Sequence, residues 1–320
     1  MKPFLLEPIP DYTIWGTNHI SKARGIDEDY GTWWEVSAHP YCSNKIVGTN
    51  TTLMDVIQEN PDEVLGKGYT LHETLRLAYL DTKDALSIQV HPEDDYALEH
   101  SNDYGKYESW YILDAKPGAT LVAGTTINDA DEIKNALMNN DVEKYLNKVE
   151  VHKGDYIIIP SGMLHALGKD ILALEVGTNS NTTYRFYDYN RKGKDGKTRP
   201  LHVKESFDVT NFNLKPTFVP QKQETHRIGN CPNFTVDEVY ADSDITLTCD
   251  EHYMILSNID SDCTIVWNSE EIVLPQYDSH YAPMHSKLLH SHNQCRINMY
   301  QHEGALSYLK YRCSQQSIDS

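Results

Sequence analysis

The chain has 320 residues, a mass of 36.6 kDa and a formal net charge of −19 with histidine neutral. That length buries one large core or two ordinary ones. The charge argues against a general nucleic-acid binder and against attraction to an anionic membrane, both of which depend on clustered Lys and Arg. It leaves room for an anionic small molecule, because a pocket can be locally basic on an acidic protein.

Hydrophobic residues at 39%, with 10% aromatics and 21 tyrosines, indicate a folded, strand-rich chain. No apolar run approaches the roughly 20 residues that span a bilayer. The opening Met1 to Pro8 is broken by Glu7 and two prolines and does not read as a secretory signal. Cys42, Cys231, Cys249, Cys263, Cys295 and Cys313 show no C-x-x-C pair, so they read as thiols of a reducing compartment. The expected location is the cytoplasm.

In chain order, short extended stretches come first, notably Trp33 to Ala38. Helical spacing follows from Leu53 to Leu80: Leu53, Val56 and Ile57 fit one face, and Leu71, Leu75, Leu77 and Leu80 suggest a second short helix. Ala85 to Val90, Ser109 to Leu113 and Gly118 to Ala123 read as strands. A helix is expected over about 129–146, capped by Asn128 or Asp129. Asp155 to Ile159 and Ile171 to Val176 continue the strands. A second strand-rich stretch runs from Asn233 to about Tyr300. The predicted organisation is a catalytic β-domain over 1–225 with helical insertions at about 53–80 and 129–146, then a β-rich domain over 226–320.

Two segments carry chemistry. In Leu86-Ser87-Ile88-Gln89-Val90-His91-Pro92, residues two apart on a strand share a face, so Ser87, Gln89 and His91 point one way. That face meets either solvent or a functional cavity. In Gly154 to Ala166, a Gly-Asp turn feeds an apolar strand and Pro160-Ser161-Gly162 reverses the chain beside His165. A lone histidine there would usually be a satisfied core residue. The whole G-x5-P-x-G-x2-H pattern, however, resembles the second metal motif of the cupin superfamily, double-stranded β-helices that hold a metal inside a small barrel. With Gln89, His91 and the downstream Glu108, His165 would complete two imidazoles, a carboxylate and an amide oxygen. That set suits zinc or another borderline divalent ion with room for substrate oxygens.

The resemblance narrows further. Gln89-Val90-His91-Pro92, the Gly105-Lys106-Tyr107-Glu108-Ser109-Trp110-Tyr111 stretch, the His165 motif and Asn179 to Tyr189 occur in this order in type I mannose-6-phosphate isomerases. Ile14-Trp15-Gly16 and Trp34 to Pro40 match as well. The chain is similar to the short bacterial form of that family over roughly residues 3–210. The resemblance implies a mainly β cupin jelly roll with a second, degenerate β-barrel unit. It also implies one zinc ion per chain on Gln89, His91, Glu108 and His165, a catalytic Arg185, and Ser87 and Lys106 binding the phosphate of a phosphorylated hexose. The implied reaction interconverts mannose 6-phosphate and fructose 6-phosphate through a cis-enediol. For the proton carrier, Glu175, Asp188, Lys106, His39 and metal-bound water stay open.

The sequence departs from the family pattern at Thr17, at Gly177-Thr178 and at Asn181, which stands where an aspartate is usual. Asn181 and the altered 175–178 stretch support one competing reading, a non-catalytic sugar-binding cupin that keeps the metal. A metal-dependent cupin dioxygenase, the other, would also use histidines and a carboxylate, but Gln89 would be an unusual ligand there. His290-Ser291-His292 forms a second H-x-H pair without a following glycine motif and reads as solvated histidines. Residues 191–204 hold six basic residues and one acidic one, a +5 loop placed directly after Arg185 and Asp188.

Overall fold

The computed structural model describes residues 1–302, apart from 221, 223, 242–244, 250–251, 284–285 and 292–294. Among these residues no helix is long and apolar enough to cross a membrane. The chain is mainly β and divides into two compact units. One comprises Pro8–Asn44 and Thr74–Lys222; the other comprises Met1–Glu7, Lys45–Glu73 and the chain from Gln223 onward.

The first unit is built on two antiparallel sheets. The larger has seven strands in the spatial order Thr217–Val219, Tyr156–Ile159, Glu108–Ala115, Ile171–Thr178, Leu75–Thr82, Thr32–Val36 and Ile9–Asp11. The smaller has five, ordered Leu146–Glu150, Thr120–Thr125, His165–Ala166, Ile88–Val90 and Tyr184–Tyr187. Ile88, Val90, Trp110, Ile112, Ile157, Ile159, Ala173 and Phe186 meet in one apolar core. This is the double-sheet cupin arrangement that the motifs imply.

The second helix expected at 71–80 is a strand. Leu71–Glu73 forms a single 3-10 turn, and Leu75–Thr82 is an eight-residue strand buried at every position. A strand covered on both faces loses the polar alternation that marks it, and its leucines then mimic helical spacing. The helix expected over 129–146 is shorter, Ala130–Met138, with the Asp129 side chain capping Glu132 N–H. A 3-10 turn, Val142–Tyr145, follows it.

In the other unit, a six-stranded sheet runs in the order Phe4–Leu5, Ser279–Ala282, Met254–Asn258, Cys295–His302, Phe234–Ala241 and His226–Asn230. A four-stranded sheet holds Ile245–Cys249, Ser286–Ser291, Cys263–Trp267 and Glu270–Leu274. Their shared core includes Val239, Leu247, Met254, Leu256, Ile265 and Leu274. The helix Leu53–Glu59 opens on a reciprocal cap in which Thr52 and Asp55 satisfy each other's backbone N–H.

Candidate metal centre and active site

Three strands of the smaller sheet align a row of side chains. Gln89 is the cross-strand partner of His165 on one side and of Arg185 on the other. Directly paired residues share a face, so the three stand side by side. His165 reaches this row through its turn. Gly162 takes φ +80°, which favours glycine, and its N–H donates to the His91 carbonyl at 2.8 Å. The spacing of the Pro-x-Gly-x2-His motif therefore ties the His165 turn to the backbone of His91.

Glu108 arrives from the larger sheet, where it pairs with Ile159 and Gly177. The approach to it is fixed at Gly105, where any Cβ would lie 2.5 Å from the Pro92 carbonyl oxygen. Lys106 N–H donates to that same oxygen at 3.1 Å. At Gly177 a Cβ would stand 3.2 Å from Glu108 Cβ and 3.3 Å from Lys106 Cε. The departure from the family pattern at this position thus leaves space for the Lys106 stem.

His91, Glu108 and His165 converge, with one candidate ligand atom from each lying within 4.8 Å of the others. Glu108 and His165 are fully buried and His91 is 1% exposed. His91 Nδ1 lies 2.8 Å from the Thr182 carbonyl oxygen, and His165 Nδ1 lies 2.7 Å from that of Met163. A carbonyl can only accept, so both Nδ1 atoms carry the ring proton and both Nε2 atoms present lone pairs. Each Nε2 faces a Glu108 oxygen at 3.3 Å, and none of these four atoms makes a hydrogen bond. Lone pairs set against a buried carboxylate repel unless a cation lies among them. The donor set fits a divalent ion, with both imidazoles oriented through their second nitrogen as metal-binding histidines are. Burial also pushes His91 down to about 4, so it is neutral near pH 7 and ready to ligate. The His165 ring packs against Trp110, with centroids 5.5 Å apart.

Lys106 bridges two carboxylates. Its Nζ lies 2.5 Å from Glu108 Oε2, without the alignment of a hydrogen bond, and donates to Glu175 Oε1 at 2.8 Å. Burial would raise Glu108, but the Lys106 ammonium beside it holds its carboxyl well below the usual carboxylate range. Glu175 also accepts from Trp110 Nε1 at 3.3 Å. Ser87 is buried just ahead of its strand, and among the described residues no hydrogen bond joins it to Lys106. Arg185 donates through Nη1 to the Pro200 carbonyl at 2.9 Å, while its buried Nε finds no partner.

Residues 14–125 match the family described as phosphomannose isomerase type I, catalytic domain. The mannose-6-phosphate isomerase of Streptococcus mutans is 32% identical over 292 residues, covering 88% of this chain and 92% of that protein. The chain belongs to the type I phosphomannose isomerase family. The mannose-6-phosphate isomerase ManA of Bacillus subtilis is 34% identical over 86% of this chain and 90% of its own length. The solved mannose 6-phosphate isomerase from Bacillus subtilis superposes with a TM-score of 0.83 at 27% identity, covering 94% of this chain and 100% of that one.

Family motifs point to the ligand row but not to the groups that hold it. Arg76 is 2% exposed, stacks 3.9 Å over Trp34, and donates to the Ser180 carbonyl at 2.7 Å and to Asn181 Oδ1 at 3.2 Å. In the sequence it sits within a leucine-rich run that reads as a helix, so nothing marks it. The basic loop is also less open than its composition suggests. Arg191 and Arg199 both clamp Asp188, occupying both carboxylate oxygens. The second H-x-H pair lies partly outside the described residues, at His292.

Proposed function

We propose that the protein is a zinc-dependent enzyme that interconverts mannose 6-phosphate and fructose 6-phosphate through a cis-enediol. The observation that carries this reading is the convergence of two deprotonated Nε2 atoms and the Glu108 carboxylate, buried and without hydrogen bonds, beside Lys106. Gln89, His91, Glu108 and His165 would hold the metal, with Gln89 assigned from its register opposite His165. Two imidazoles, one carboxylate and one amide oxygen match the borderline character of zinc. When bound, zinc would supply Lewis-acid stabilisation to the oxygens on C1 and C2 as negative charge develops there.

The chain's own groups divide the remaining work. Arg185, in the same row as Gln89, would turn its unpartnered Nε–H towards the enediolate. Ser87 and Lys106 would grip the distant phosphate, which uses remote binding energy to orient the reacting carbons. Lys106 would exchange part of its contact with Glu108 and Glu175 for the phosphate. The proton between C1 and C2 would pass through Glu175, the carboxylate that Lys106 holds next to Glu108. Asp188 is unsuited to that step, because two guanidiniums saturate its carboxylate. We place the enzyme in the cytoplasm, as six cysteines without a C-x-x-C pair suit a reducing compartment.

The test joins a coupled isomerase assay to metal analysis. Purified chain should convert mannose 6-phosphate, lose turnover on chelation and regain it with zinc. Undiminished turnover in a preparation shown to be metal-free would sink the reading.

A further inference from the structure

Asp103 lies between the helix Asp94–Ser101 and the strand Glu108–Ala115, directly after Asn102, whose left-handed φ of 51° ends the helix. Its carboxylate collects donors from two directions. Oδ1 takes the Tyr104 N–H at 2.8 Å and lies 3.4 Å from His39 Nε2. His39 Nδ1 accepts Tyr41 N–H at 3.0 Å, so the ring proton sits on Nε2 and points at Asp103. Oδ2 takes Asn181 N–H at 2.9 Å and the Thr182 hydroxyl at 3.2 Å.

A third tie joins the same two segments. Ser180 Oγ donates to the Tyr104 carbonyl at 2.7 Å and accepts Thr182 N–H at 3.0 Å. Residues 180–182 are thus held by Asp103 and Tyr104 on one side and by Arg76, on Ser180 and Asn181, on the other. What this segment presents is the Thr182 carbonyl, the acceptor that fixes His91 Nδ1 at 2.8 Å.

We propose that Asp103 is a positioning residue for the metal centre: it anchors Thr182, whose carbonyl sets the tautomer and aim of the His91 ring. The inference rests on the metal reading above and extends it to a residue that touches neither metal nor substrate. Loss of the anchor leaves the carbonyl held only through Ser180 and Arg76, so the His91 ring is aimed less firmly at the ion it binds. Groups that orient a metal-binding histidine typically alter metal affinity by 10–100-fold.

The experiment uses the full chain stripped of metal, titrated with zinc against a chromophoric chelator and, separately, with cobalt to read its visible absorption bands. Asp103→Ala should weaken zinc by about 10-fold or more and shift the cobalt bands. Asp103→Asn, which keeps an oxygen able to accept from Asn181 and Thr182, should recover part of both. It also carries the test if the alanine variant fails to fold. Thr182→Val, which loses the hydroxyl but keeps the carbonyl, should fall between the alanine variant and the native chain. Native zinc affinity and native cobalt bands in folded Asp103→Ala, with binding lost in His91→Ala, overturn the positioning role. Native affinity in His91→Ala instead overturns the metal reading beneath it.

Discussion

Both units bury polar side chains, but they treat them differently. In the unit from Gln223 onward, Ser257 and Ser279 share a hydroxyl hydrogen bond at 2.8 Å. Asn258 spends its amide on the Ser261 and Leu274 carbonyls, both at 2.8 Å. His280 is buried opposite Leu5 and Leu256, within reach of the Lys2 charge. In the other unit His91, Glu108 and His165 converge with their ligand atoms lacking hydrogen bonds, and among the described residues this is the one such group. Buried polar groups that satisfy one another stabilise a fold. Buried acceptors that converge without hydrogen bonds suit a cation, and they mark the site.

The most severe way to break this contrast is to remove one member of the convergent set. His165→Ala should lower bound zinc to background and turnover by at least about 10²-fold, as expected when several kcal/mol of charge stabilisation are lost. Metal analysis and the coupled assay on the same preparation check it. Full turnover without metal would erase the distinction between the two kinds of burial.

A large stability effect belongs to Lys106. Its ammonium is the cation that Glu108 and Glu175 share. Lys106→Met leaves two buried carboxylates without it, so the metal-free protein should lose about 3–5 kcal/mol in denaturant unfolding. Zinc should restore part of that by neutralising Glu108. A methionine variant as stable as the native chain with metal removed would show that the carboxylates are not ionised together.

These effects also show what the sequence could reveal. The ligand row was legible because a strand places Gln89 and His91 on one face and a glycine turn delivers His165 at fixed spacing. Glu108 was legible only through the family motif. The supporting groups were not legible: Arg76, Asp103 and Thr182 act through contacts spanning up to about a hundred residues, and such contacts leave no local pattern. Asn181 shows the limit most clearly. Read as the loss of a usual aspartate, it supported a non-catalytic cupin. In the structure its amide oxygen serves Arg76, and the carboxylate of this region is that of Asp103. The strand Leu75–Thr82 escaped for a different reason, since complete burial removes the alternation that identifies a strand.

A pH dependence separates His280 from the buried histidines of the metal centre. Burial pushes His280 down to about 4, below the roughly 6.5 of an unfolded histidine. Between these values the unfolded chain binds a proton that the folded chain refuses, so stability rises with pH and is lost as pH falls from about 6.5 to 4. The shift corresponds to about 3 kcal/mol. His280→Phe should flatten the acid limb of the stability curve by that order while leaving zinc content and turnover unchanged. A parallel loss of zinc would mean that His280 is coupled to the metal centre.

The smallest effect tests the satisfied side of the contrast. Ser257→Ala strands the Ser279 hydroxyl in a buried position, and should cost about 1–2 kcal/mol. The double variant with Ser279→Ala removes both partners, so no orphan remains and much of that loss should return. Denaturant unfolding of the two single variants and the double variant closes the cycle, with metal content as the control. Additive losses would show that the hydroxyls do not satisfy each other. A coupling of the expected sign, with zinc unchanged throughout, would place this pair among groups that hold the fold and do nothing else.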